Sequence, residues 1–215
     1  LFRLHRRRAS AGRHHHRAAD VPVRPDVRGD LHRLAHDRPL HRRVDELDRI
    51  GWRGNEAPGD RKIHAMFELH IEQGPILEAE GKQIGVVTHG QGLWWLQVTL
   101  TGKDAHTGST PMAMRVNAGL GMARIIEAVH CIAMDHQPDA VGAVGQANLF
   151  PNSRNVIPGK AVFCIDFRSP DLEKLTSMRS RLEAEAAEIA AELGLGIEIE
   201  PVGHFDPVTF DPDLV

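Results

Sequence analysis

The chain has 215 residues, enough to bury a core and to form one domain or two small ones. Its 26 Lys and Arg against 29 Asp and Glu leave a net charge of −3, which gives no reason to expect a nucleic acid or an anionic membrane as partner. Cys131 and Cys164 form no CxxC pattern, which argues against a disulfide framework and a thiolate zinc site. With no membrane-spanning apolar run and no secretory h-region, the expected setting is cytoplasmic.

From residue 1 to 43 every basic side chain but histidine is arginine, histidine is dense (His14, His15, His16), and apolar residues follow neither helical nor strand periodicity. Arg6, Arg7 and Arg8 would be the centre of a nucleic-acid-binding arm. A transit peptide would be Arg-rich too, although Asp20, Asp26 and Asp30 argue against one. Out-of-frame translation of a GC-rich gene yields this same mixture and is the preferred reading, with a disordered tail next. On each of these readings no packed core is expected.

Ordinary globular patterning begins at Val44. Residues 44–50 read as a short amphipathic helix stopped by Gly51. Ile63, Ala65, Phe67 and Leu69 alternate with polar residues, which predicts a strand over 62–71 with His70 at its end. Gly74-Pro75 breaks it, 76–80 gives a helical turn, and 84–88 reads as a second short strand. Beyond these, 93–101 is rich in β-formers, 116–133 has apolar residues at helical spacing, and 140–150 and 155–167 read as strands. Residues 172–193 form a long amphipathic helix between Asp171 and Gly194, and 197–202 closes the set as a strand. This order is the βαββαβ of ferredoxin-like modules, an α/β (α+β) class with a four-stranded antiparallel sheet and two helices on one face.

Four residues carry candidate chemistry, each with a plainer alternative. His70 is a metal ligand or a hydrogen-bonded strand-end histidine. His106, in Asp104-Ala105-His106-Thr107-Gly108, is a ligand-facing group or a solvated loop histidine. Asn155 is a binding amide or turn chemistry, and Arg168 is a carboxylate clamp or a surface arginine.

Together the runs FELHIEQGP, TLTGKDAHTGSTPM, NSRNVIPG and FCIDFRSP resemble the M20 peptidase-like amidohydrolases. The likeness is to the branch of N-carbamoyl-L-amino acid hydrolases, β-ureidopropionases and allantoate amidohydrolases, and it extends from about Val44 to the C-terminus. The resemblance implies that His70 binds one of two divalent metals (zinc, or manganese, cobalt or nickel) and that Gln73 contacts substrate. It further implies that His106 reaches into the partner subunit's active site to stabilise the oxyanion, and that Asn155 and Arg168 hold the substrate carboxylate. Residues 44–91 are then a fragment of the metal-binding catalytic domain, 92–203 the ferredoxin-like lid that forms a homodimer, and 204–215 the return to the catalytic domain. Closure of the lid is expected to hinge near Gly90 to Gly92 and Gly203 to Pro207.

The family's early histidine and aspartate, its glutamate pair and its last metal-binding histidine are not recognisable in this chain. The polypeptide as it stands is therefore expected to be inactive, although the resemblance implies cleavage of the carbamoyl C–N bond of N-carbamoyl-L-amino acids or N-carbamoyl-β-alanine. Allantoate is the nearest rival substrate. A non-catalytic dimerisation or carboxylate-binding module is the alternative of another class.

Overall fold

The computed structural model describes residues 40–55 and 62–215, so the expectation of an unpacked segment over 1–43 falls almost wholly outside the described residues. Two compact units are distinguished, Leu1–Met66 and Phe67–Val215. In the first, α1 (Leu40–Arg49) ends at Gly51, whose φ of +69° is a left-handed conformation that glycine takes without steric cost. The helix starts earlier than its apolar pattern suggests.

In the second unit, α2 (Ile76–Ala79) is capped by the Glu72 carboxylate, which accepts from the backbone N–H of Ile76 at 2.9 Å and of Leu77 at 3.1 Å. The strand expected over 62–71 is not formed. Phe67, Leu69 and Ile71 are all exposed and the segment pairs with no strand among the described residues. Alternation alone stabilises no strand, because the backbone groups need a neighbouring ladder. The strand expected over 84–88 is likewise absent. In its place β1 (His89–Gly90) pairs antiparallel with β8 (Val208–Thr209).

The main sheet contains β2 (Gly92–Thr101), β4 (Val141–Phe150), β6 (Lys160–Ser169) and β7 (Gly196–Phe205), in the spatial order β4-β6-β2-β7 with every neighbour antiparallel. With α3 (Ala118–Asp135) between β2 and β4, and α4 (Leu172–Leu193) between β6 and β7, this is the expected ferredoxin-like βαββαβ module. The single strand expected over 155–167 is in fact two. Pro158-Gly159 divides β5 (Val156–Ile157) from β6, and β5 pairs instead with β3 (Ala105–His106).

Period-two alternation sorts β6 into a buried set, Ala161, Phe163, Ile165 and Phe167, and an outward set, Val162, Cys164, Asp166 and Arg168. The buried set meets Leu96, Val98 and Leu100 of β2 and the apolar faces of both helices, Ile125, Val129 and Ile132 from α3 and Leu175, Met178 and Leu182 from α4. Each such large side chain contributes roughly 1.5–3 kcal/mol by leaving water. Both helix starts are capped by side chains. Asn117 accepts from the N–H of Gly119 and Leu120, and Asp171 from those of Glu173 and Lys174, each satisfying donors that the helix itself cannot. The helices therefore cover one face and leave the outward set of β6 on the other. No helix among the described residues is long and apolar enough to cross a membrane.

Candidate functional site

The β3–β5 ladder sets His106 opposite Val156, directly beside Asn155, and the Thr107 N–H donates to the Asn155 carbonyl at 3.0 Å. The loop that carries His106 is braced from two sides. Arg115 donates through Nη2 to the Thr107 carbonyl at 2.8 Å and through Nε to the Thr110 carbonyl at 3.0 Å. Opposite, the Gly159 N–H donates to Asp104 Oδ1 at 2.7 Å. Gly159 allows this approach because a Cβ there would lie 2.6 Å from the Asp104 nitrogen.

These contacts fix the chemistry that His106 presents. Its Nδ1 accepts from the backbone N–H of Gly108 at 3.0 Å and of Ser109 at 3.2 Å. Two donors aimed at Nδ1 select the tautomer with the proton on Nε2, so the exposed edge of the ring is a neutral N–H donor. Asn155 Oδ1 accepts from the Ser153 hydroxyl at 2.7 Å, which turns its NH2 group into the remaining donor edge. The histidine N–H is carried on β3 and the amide NH2 on the segment just before β5, one register step apart.

Arg168 lies elsewhere. It is the penultimate residue of β6, opposite Leu93 on β2 and Val141 on β4. Eight residue steps separate it from Lys160 at the start of that strand, which at ~3.3 Å each is roughly 26 Å. Asn155 precedes even Lys160, so within one copy of the chain Asn155 and Arg168 do not converge on one small carboxylate.

The Arg168 guanidinium is engaged by Asp166, with Nε at 3.0 Å from Oδ1 and Nη2 at 2.7 Å from Oδ2. Burial pushes the Asp166 carboxyl up, but the hydrogen bonds and charge of the Arg168 guanidinium outweigh it and hold the group below its ordinary value. Arg168 is in turn raised by its bond to Asp166. Neither Asp166 nor Trp95 was singled out by the sequence motifs, although the spacing Asp-x-Arg on a strand puts opposite charges on one face.

His70 and Gln73 are both exposed in the segment that precedes α2. Gln73 holds a φ of +55°, the left-handed region that a non-glycine residue seldom adopts. His70 Nδ1 bonds to the Ile71 carbonyl, which selects the tautomer whose Nε2 lone pair is available to a metal. One imidazole is not a site, however, and among the described residues no three His, Cys, Asp or Glu side chains gather where they would hold a metal ion. The described residues do not, by themselves, fit a dinuclear centre.

Residues 88–193 match the model of the peptidase dimerisation domain of the M20 group. The N-carbamoyl-L-amino-acid amidohydrolase of Rhizobium meliloti is 70% identical over 171 residues, which are 80% of this chain and 41% of that protein. The chain belongs to the M20 peptidase-like amidohydrolases. Within that family the allantoate amidohydrolase of Escherichia coli (strain K12) is 35% identical over 174 residues, 80% of this chain and 42% of that protein. The crystal structure of an amidase of the hydantoinase/carbamoylase family from Burkholderia multivorans superposes with a TM-score of 0.72 at 50% identity, covering 78% of this chain and 41% of that one. The chain therefore spans about two fifths of the length of the amidohydrolases it matches.

Proposed function

We propose that this chain supplies the lid, the substrate clamp and the dimerisation surface of a metal-dependent amidohydrolase that cleaves the carbamoyl C–N bond of N-carbamoyl-L-amino acids. The observation that carries the reading is the braced His106, whose Nδ1 is occupied by two backbone donors and whose exposed ring leaves the Nε2–H for a ligand. Water attack on a carbamoyl carbon creates a tetrahedral oxyanion. A neutral N–H donor fixed before the reaction begins stabilises that charge without reorganising, and one such donor is worth roughly 10²–10³ in rate.

The separation of Arg168 from Asn155 gives the module its logic. His106 and Asn155 serve one active site, and Arg168 serves another, so a complete site takes the two ends of the lid from two copies of the chain. The match to a dimerisation domain supports that arrangement as a homodimer. Arg168 of one copy and Asn155 of the other hold the substrate carboxylate, and Gln73 contacts the substrate, which turns binding energy remote from the reacting carbon into alignment.

His70 is the one described residue assigned to the metals, two divalent ions in the complete enzyme. Its free Nε2 fits a ligand role, and the remaining donors are not among the described residues. Cys131 and Cys164 are free thiols, which supports a reducing, cytoplasmic setting. The domain division that follows is a catalytic-domain fragment over 44–91, the lid over 92–203 and the return over 204–215.

The 70% identity to an N-carbamoyl-L-amino-acid amidohydrolase favours carbamoyl amino acids over allantoate. The test grafts residues 88–205 in place of the matching segment of that relative and assays N-carbamoyl-L-amino acids, N-carbamoyl-β-alanine and allantoate. Preferential turnover of carbamoyl amino acids is expected. A folded chimera that turns over none of the three defeats the proposal.

A further inference from the structure

Asp166 and Arg168 both face outward on β6, two residues apart, so their side chains stand on one side of the sheet. Trp95 on β2 is the register partner of Asp166 and stands opposite it on the same side of the sheet. The ion pair of Asp166 and Arg168 is thereby flanked by β2 on one side. Beside it on β4, Val141, Gly142 and Ala143 leave a shallow pocket that Asp166 and Arg168 complete.

The geometry of the ion pair decides what remains for a ligand. A guanidinium offers two forks, one formed by Nε and Nη2 and one by Nη1 and Nη2. Asp166 takes the first, through Nε at 3.0 and 3.1 Å and Nη2 at 2.7 Å. Nη1 makes no hydrogen bond among the described residues, so the second fork is open.

Resting on the reading of Arg168 as the carboxylate clamp, we propose that Asp166 is the positioning residue that turns the Nη1/Nη2 fork of Arg168 toward a small-molecule carboxylate. An arginine held only by its own stem samples many rotamers, and each must be frozen when ligand binds. Locking Nε and Nη2 in advance removes most of that loss. The like charge of Asp166 opposes a ligand anion, so the two effects have opposite signs and the experiment reads which one dominates.

The whole 215-residue chain is titrated with N-carbamoylglycine while the Arg168 Nε–H resonance is followed by NMR. Saturable shifts are expected for the parent chain, and their absence overturns the proposal. Asp166→Ala is expected to weaken the probe roughly tenfold and to broaden the Nε–H signal by exchange. Asp166→Asn keeps one acceptor for the guanidinium and gives an intermediate affinity. Asp166→Glu keeps the charge but moves the carboxylate by one methylene, and weakens binding by a smaller factor than Asp166→Ala, which preserves the test should Asp166→Ala fail to fold. Unchanged or tighter binding in the folded Asp166 variants, with Arg168→Lys weakened, overturns the positioning role while leaving the clamp intact. Unchanged binding in Arg168→Lys overturns the clamp, and the positioning role with it.

Discussion

Asn155 and Arg168 stand at opposite ends of one stretch of chain, Asn155 just before β5 beside His106 and Arg168 at the far end of β6. Eight residues of β6, Lys160 to Phe167, lie between them and cannot fold back on themselves. Two residues that their motifs assign to one substrate carboxylate are thereby kept apart in each copy. On the roles proposed for them, that separation calls for an active site shared between subunits.

Removing the His106 ring tests the oxyanion role. In the chimeric enzyme His106→Ala is expected to lower kcat by roughly 10²–10³ while KM changes little, since the donor acts on charge that exists only in the transition state. Steady-state kinetics on an N-carbamoyl-L-amino acid measures both. A rise in KM with kcat unchanged would instead make His106 a ground-state binding group.

The turn that presents His106 depends on a close backbone approach. A Cβ at residue 159 would lie 2.6 Å from both the nitrogen and Oδ1 of Asp104, so Gly159→Ala must open the contact that ties β6 to the His106 loop. Destabilisation of about 1–3 kcal/mol is expected in urea unfolding of the chain. Gly145, where a Cβ would meet nothing within 4 Å, is the control, and Gly145→Ala should cost less.

Where the two strands that leave the module run side by side, Gly92 meets Pro207, and a Cβ on Gly92 would sit 2.6 Å from the Pro207 ring. Gly92→Ala is expected to destabilise the module and to lower hydrogen-exchange protection in residues 89–93 and 205–209. Unchanged protection would remove this contact from the account of the hinge.

Much of the fold was legible in the sequence because the module encodes it locally. Helix α4 occupies the expected residues, Leu172–Leu193, since Asp171 caps one end and Gly194, at a φ of +66°, closes the other. The strand expected over 62–71 failed for a different reason. Its alternation is real, but a strand is a property of a pair, and Phe67, Leu69 and Ile71 find no partner among the described residues. The break at Pro158-Gly159 was written in the sequence and was overridden by the apolar run around it. At the site, His106, Asn155 and Arg168 were legible as motif residues. That the first two are neighbours and the third is remote was not, because it depends on strand register. Trp95 and Asp166 meet only through that register as well.

Acid should dismantle the Arg168 pair. The folded state holds the Asp166 carboxyl below its ordinary value, so the unfolded chain takes up the proton first as pH falls. The stabilisation from the pair is complete above the ordinary carboxylate range and is lost as pH drops through the lowered folded value. Comparing urea stability of the parent chain and Asp166→Asn across that range should show a gap that narrows toward acid. Because both side chains are partly exposed, the gap is small and shrinks further in high salt. A gap that widens toward acid would contradict the ion pair.

The shared site is tested most directly by mixing two disabled copies of the chimeric enzyme, one carrying His106→Ala and the other Arg168→Ala. If His106 and Arg168 of different subunits complete one active site, the mixed dimer contains one site with both residues intact and one with neither. Activity close to half that of the parent per mixed dimer is then expected after subunit exchange, although each variant alone is nearly inactive. If both residues serve the site of their own copy, every site in the mixture lacks one of them, and the mixture stays as inactive as its components.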